Sequence, residues 1–181
     1  MLLVKAEQAF QSLQKKTNQD ISALFIEIGC AMEEEKLSIK YVYKKESGLS
    51  SDRFEREFNR TIHQLNLFSS HIISQPYSEK QEIGALTKEK ILKKKKIGIG
   101  PVLIIGAGNF PLAYSTIGGD SIAALAAKNP IVVKAHPHHT GTSLTIAKIV
   151  IKILRKLNFP EDWDNKNIPL LWNYNLHYFD G

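Results

Sequence analysis

The chain holds one cysteine in 181 residues, Cys30, so no internal disulfide can form. A lone thiol suits a reducing compartment. No apolar run approaches the ~20 residues that a membrane-spanning helix needs. The opening MLLVKAEQAF places Lys5 and Glu7 where a secretory leader would be apolar, so no signal peptide is expected. These absences predict a cytoplasmic protein with no membrane partner. Aromatic residues are absent from the basic stretch Lys88, Lys90 and Lys93 to Lys96, which carries much of the +6 net charge. Nucleic-acid surfaces interleave aromatics with their cations, so this run reads as a solvated hairpin or linker, and no nucleic-acid partner is expected. His136, His138 and His139 cluster, but no Cys, Asp or Glu stands nearby to complete a ligand set. No metal site is expected.

What is present is enough for a core: 43% of the residues are hydrophobic. Residues 1 to 73 read as helices. Val4, Ala6, Ala9, Phe10 and Leu13 recur at helical spacing. After a break at Lys16-Thr17-Asn18, a second stripe follows: Ile21, Leu24, Phe25, Ile28, Ala31 and Met32. Cys30 lies on or near that stripe and is expected to pack as a small buried hydrophobe. Glu46-Ser47-Gly48-Leu49 reads as a turn. Asp52 with Glu55 resembles a capping box opening a helix that carries Phe54, Phe58, Ile62, Leu65 and Phe68. Arg56, Glu57 and Arg60 on that helix read as surface or helix-pairing charges. From Gln75 to Ile91 the polarity is mixed and one strand is expected at most. Ile97 and Ile99 hint at strand alternation.

The organising stretch runs from Gly100 to Ser143. Val102 to Ile105 is an apolar run ending in Gly106-Ala107-Gly108 and then Asn109-Phe110-Pro111. A small-residue segment, Gly119 to Lys128, leads to Ile131 to Val133, which ends on Lys134. Strand, turn, helix, strand, helix is the βαβα pattern of a parallel sheet. Ligands of such sheets sit at the carboxyl ends of the strands, where Asn109 and Lys134 both fall. The glycine turn departs from G-x-G-x-x-G, since Pro111 stands at the third glycine's place. A further helix spans Thr140 to Leu157, with Leu144, Ala147, Ile151 and Leu154 on one face. Asn158-Phe159-Pro160 ends it.

The words GAGNFPLAYS, GGDSIAALAAKNPIVVKAHP and HTGTS closely resemble the aldehyde dehydrogenase superfamily. The best fit is its NAD(P)-dependent branch acting on α-ketoglutarate semialdehyde and fatty aldehydes. Ala6 to Phe10, Glu46 to Leu49 and Arg53 to Phe68 also match words of its N-terminal part. The resemblance implies an α/β fold: N-terminal helices, then the first βαβα of a parallel Rossmann-like cofactor sheet. It implies Asn109 as the oxyanion-hole side chain. It implies cofactor contacts at Ile105, Gly106, Ala107, Lys134, His136 and Pro137. Lys134 would reach the adenosine ribose or its 2′-phosphate, and His136 would help with that phosphate. Many NAD-specific relatives carry glutamate where Pro137 stands. Without that carboxylate nothing repels a 2′-phosphate, so the cofactor is NADP or NAD.

The same resemblance marks what is missing. The family's nucleophilic cysteine and general-base glutamate would lie beyond residue 161, and no thiol follows Cys30. Two parallel strands are recognisable where a cofactor domain has about five. Residues 1–160 therefore read as an aldehyde dehydrogenase portion without activity of its own. An alternative is a non-catalytic fragment that docks on a full-length paralogue. Residues 162–181, DWDNKNIPLLWNYNLHYFDG, resemble an early segment of heparinase II/III-type polysaccharide lyases. The change of pattern reads as a fusion, rearrangement or frame error, and a lyase remnant is the third reading.

Overall fold

The computed structural model describes residues 2–74, 78–83, 90–95 and 97–159. Four helices come first: α1 (Leu2–Gln14), α2 (Asn18–Glu34), α3 (Lys36–Ser47) and α4 (Ser51–Ser74). A hairpin follows, β1 (Ser78–Ile83) and β2 (Lys90–Lys95). Then come β3 (Val102–Ile105), α5 (Gly119–Ala126), β4 (Ile131–Lys134), a 3₁₀ turn (Pro137–His139) and α6 (Thr140–Lys156). The tail, with its lyase-like word and the proposed boundary near residue 160, lies outside the described residues.

Local chemistry sets the helix limits. Thr17 opens α2 with a reciprocal cap: its hydroxyl accepts the Asp20 N–H at 3.1 Å, and the Asp20 carboxylate accepts the Thr17 N–H at 2.7 Å. Gly48 stops α3 in the left-handed region at φ 65°, which costs glycine no Cβ clash. The turn expected at Glu46 to Leu49 thus starts two residues later, because Glu46 and Ser47 remain helical. The Asp52–Glu55 box does not form. Ser50 Oγ accepts the Arg53 N–H at 3.2 Å instead. Asp52 meets Arg56 at the surface, and Glu55 bridges Lys36 and Lys40.

The expected apolar stripe of α2 is buried at Ile21, Leu24, Phe25, Ile28 and Met32. Cys30 is exposed, against expectation. At 100° per residue it lies ~200° from Ile28, on the opposite face. On α1, Val4 is likewise exposed, while Ala6, Ala9 and Leu13 are buried. On α6 the buried face is Ile146, Ala147, Ile149, Val150, Ile153 and Leu154. The expected stripe was rotated: Leu144 and Ile151 are only half-buried.

Two antiparallel strands occupy the region where one was expected, paired from Ser78↔Lys95 to Ile83↔Lys90. Of the lysine run, Lys90 and Lys93 to Lys95 lie in β2, and Ile97 and Ile99 lie outside any strand. A hairpin is held by backbone pairing, which a charged sequence without apolar alternation can still make. The second sheet pairs β3 with β4 in parallel, from Val102↔Ile131 to Ile105↔Lys134. One face, Ile104, Ile131 and Val133, is buried. Ile104 and Ile131 are therefore covered. The opposite face is open: Leu103 is 58% exposed and Ile105 68%. Helix α6 packs on α2 and α3, and α4 packs on α2 and α5, so one continuous core runs from Leu13 to Phe159. No described helix is long and apolar enough to cross a membrane.

Candidate functional site

The parallel register brings the ends of β3 and β4 abreast. Gly106 N–H donates to Lys134 O at 2.9 Å. The chain then turns so tightly that side chains would collide. A Cβ on Gly106 would lie 3.1 Å from His136 N, and one on Gly108 would lie 2.8 Å from His136 Nε2. Ala107 N–H donates to Tyr114 O at 3.0 Å, and Ala107 O accepts from His139 Nε2 at 2.8 Å. The loop from Gly106 to Tyr114 is thereby tied to its own far end and to the start of α6.

The sequence-predicted residues fall into one neighbourhood. Ile105, Lys134 and Pro137 are exposed, Ala107 and His136 are half-buried, and Gly106 is buried. Asn109 is exposed and lines a cleft of about 420 Å³ with Phe110, Arg53, His138 and His139. The His136 ring stacks on His139 at 5.2 Å between centroids and meets His138 edge-on at 4.8 Å. Burial, then the neighbouring His139, His138 and Lys134, holds the His136 imidazole below its ordinary pKa. Among the described residues no group of His, Cys, Asp and Glu is arranged to hold a metal ion.

Glu57, expected as a surface or helix-pairing charge, pairs between helices and is buried, at 3% exposed. Its Oε1 accepts from Tyr43 Oη and from Arg53 Nε, both at 2.9 Å. Its Oε2 accepts the N–H groups of Leu112 and Ala113, both at 3.1 Å. Four donors satisfy a carboxylate that burial would otherwise make costly. Burial and the facing Glu57 carboxylate push the Tyr43 hydroxyl pKa upward. Arg53 reaches further, donating from Nη2 to Asn109 O at 3.1 Å, with its guanidinium 4.1 Å from the Phe110 ring centroid. Arg60 donates to Tyr114 Oη at 2.8 Å, while Arg56 stays on the surface as expected. A signal for Glu57 existed: it sits with Phe54, Phe58 and Thr61 at i, i+3, i+4 spacing on the buried stripe of α4.

Helices packed around a parallel β3–α5–β4 unit, with a glycine turn at the strand ends, define a partial α/β fold. The structure of aldehyde dehydrogenase 21 from Physcomitrella patens, in complex with the reaction product succinate, matches it at TM-score 0.75. That match is 21% identical and covers 88% of this chain and 32% of the other. The NADP complex of glyceraldehyde-3-phosphate dehydrogenase from Methanocaldococcus jannaschii matches at TM-score 0.74 and 18% identity, over 95% of this chain and 34% of that one. The aldehyde dehydrogenase family model matches residues 2–163, and the chain belongs to that family. An α-ketoglutaric semialdehyde dehydrogenase of Acinetobacter baylyi is 36% identical over 160 residues, 86% of this chain and 30% of the relative. A second from Azospirillum brasilense is 37% identical over 120 residues, 64% of this chain and 23% of the relative. The chain thus spans less than a third of either relative's length.

Proposed function

We propose that this chain forms the N-terminal part of an NAD(P)-dependent site that oxidises an aldehyde, α-ketoglutarate semialdehyde being the best candidate, to a carboxylate. The observation that carries the reading is the parallel register of β3 and β4, with Gly106 N–H bonded to Lys134 O. It sets the Gly106–Ala107 backbone and Lys134 along one rim of the sheet, where dinucleotides bind in open α/β folds. Lys134 meets the adenosine ribose or 2′-phosphate, with Ile105 and His136 beside it. Pro137 brings no carboxylate against a 2′-phosphate, so NADP is accepted at least as well as NAD. Asn109 turns its side-chain N–H to the oxygen that becomes negative when a thiolate attacks the aldehyde carbon.

The thiolate itself is not supplied here. Cys30, the single thiol, lies on the exposed face of α2 and lines no part of the cleft beside Asn109. This polypeptide alone therefore does not turn over, and its two-stranded parallel sheet binds a dinucleotide weakly. A second reading is a docking fragment that a full-length paralogue covers, and the open Leu103 and Ile105 favour it. Calorimetric titration with NADP and NAD, followed by a search for NAD(P)H production with semialdehydes, tests the first reading. Binding of NADP at least as tight as NAD, without turnover, is expected. A clear preference for NAD, or turnover abolished in Cys30→Ala, would overturn it.

A further inference from the structure

We infer that Arg53 and Glu57 are positioning residues for the Asn109 loop, holding its two halves by separate bonds from one turn of α4. The inference rests on the reading of Asn109 as an oxyanion donor. An exposed loop side chain can donate to a developing charge only if its backbone is held in place beforehand. The loop from Gly106 to Tyr114 contains no helix or strand beyond the end of β3. Its own backbone bonds are few: Ala107 N–H to Tyr114 O, and Gly119 N–H to Ala113 O just after it. Helix α4 supplies the rest. Glu57 Oε2 takes the Leu112 and Ala113 N–H groups at 3.1 Å, fixing the segment that follows Asn109. Arg53 takes the Asn109 carbonyl at 3.1 Å and lies over the Phe110 ring, fixing Asn109 itself.

The two anchors are joined. Arg53 Nε donates to Glu57 Oε1 at 2.9 Å, so the guanidinium cannot swing away without exposing a buried carboxylate. Tyr43 from α3 closes the set by donating to the same oxygen. Positions 53 and 57 are one helical turn apart, so both side chains rise from the same face of α4. Lysine at 53 would keep the charge, but its single amine cannot bond Glu57 and Asn109 O in the fork geometry of a guanidinium.

Amide hydrogen exchange and ¹H–¹⁵N spectra of the full chain test this. In Glu57→Leu both accepting oxygens are lost while the side chain stays close in size. The Leu112 and Ala113 amides are then expected to exchange ~10- to 100-fold faster, in line with the loss of charge-assisted bonds. Core amides of α2 should be unchanged. In Arg53→Lys the expected pattern is the complement: the Asn109 backbone and side-chain amide resonances shift, while Leu112 and Ala113 stay protected. A role in general stability alone would move all amides together. Unchanged exchange at Leu112 and Ala113 in Glu57→Leu would overturn the inference, as would uniform loss of protection in Arg53→Lys. Failure of Asn109 as an oxyanion donor would leave both patterns intact, so the two ideas fail separately.

Discussion

Glu46 and Gly141 meet across 95 residues of sequence: Glu46 Oε1 accepts the Gly141 N–H at 2.6 Å. Glu46 Oε2 accepts the Thr142 N–H at 2.7 Å and its hydroxyl at 2.8 Å. His139, at the N-cap of α6, makes no side-chain cap bond. The last turn of α3 thus caps α6 from a distance, and its carboxylate faces the positive end of the helix dipole. Glycine at 141 leaves the room, since a Cβ there would lie 2.6 Å from Glu46 Oε1.

Glu46→Ala is accordingly expected to cost about 0.5–2 kcal/mol, the range of a lost N-cap. Gly141→Ala should destabilise as well, by displacing the carboxylate. Chemical denaturation of the two single variants and the double variant measures this. Additive losses would mean that the two residues do not act through one contact.

His136 predicts the direction of one acid effect. Burial and the neighbouring His139, His138 and Lys134 lower its pKa in the folded chain. The unfolded chain takes up this proton first as pH falls past the ordinary value of ~6.5. The stability involved is present above that pH and declines as pH falls from there toward the folded value. Thermal melts between pH 7.5 and 5, conditions set at roughly one unit or more either side of that value, should show a steeper fall for the parent chain than for His136→Asn. Equal slopes would sink the assignment.

The open face of the β3–β4 sheet predicts poor behaviour of the isolated chain. Leu103 and Ile105 are 58% and 68% exposed, and Ile97 and Ile99 just before them 71% and 88%. Each large apolar side chain left in water forgoes about 1.5–3 kcal/mol of burial. Several such losses weigh against the ~5–15 kcal/mol total of an ordinary domain. Aggregation or a broad melt is expected in size-exclusion chromatography and calorimetry. A monodisperse monomer with one sharp melt would contradict it.

Much of the fold was legible in the residues. Periodicity located α1, α2 and α4, because burial imposes a 3.6-residue repeat, and the short apolar runs at Val102 and Ile131 located the parallel strands. Periodicity is weaker at assigning faces and caps. Cys30 and Leu144 were placed inside by proximity to apolar neighbours, yet a shift of one or two positions turns a side chain outward. The hairpin at Ser78 to Lys95 carried no apolar alternation and was read as one strand at most.

By itself, the sequence determined the family, the order of elements from Val102 to Lys156 and the neighbourhood of Asn109 and Lys134, since these depend on short-range patterns along the chain. Only the tertiary structure decided what holds that neighbourhood. Glu57 lies 55 residues from Leu112, and Glu46 lies 95 from Gly141. Locally, Glu46 reads as part of a turn and Glu57 as a surface or helix-pairing charge. Each is in fact an acceptor for backbone N–H groups that folding removes from water, and those groups come from distant elements. A buried backbone donor requires a partner, but which residue supplies it is settled by packing in three dimensions.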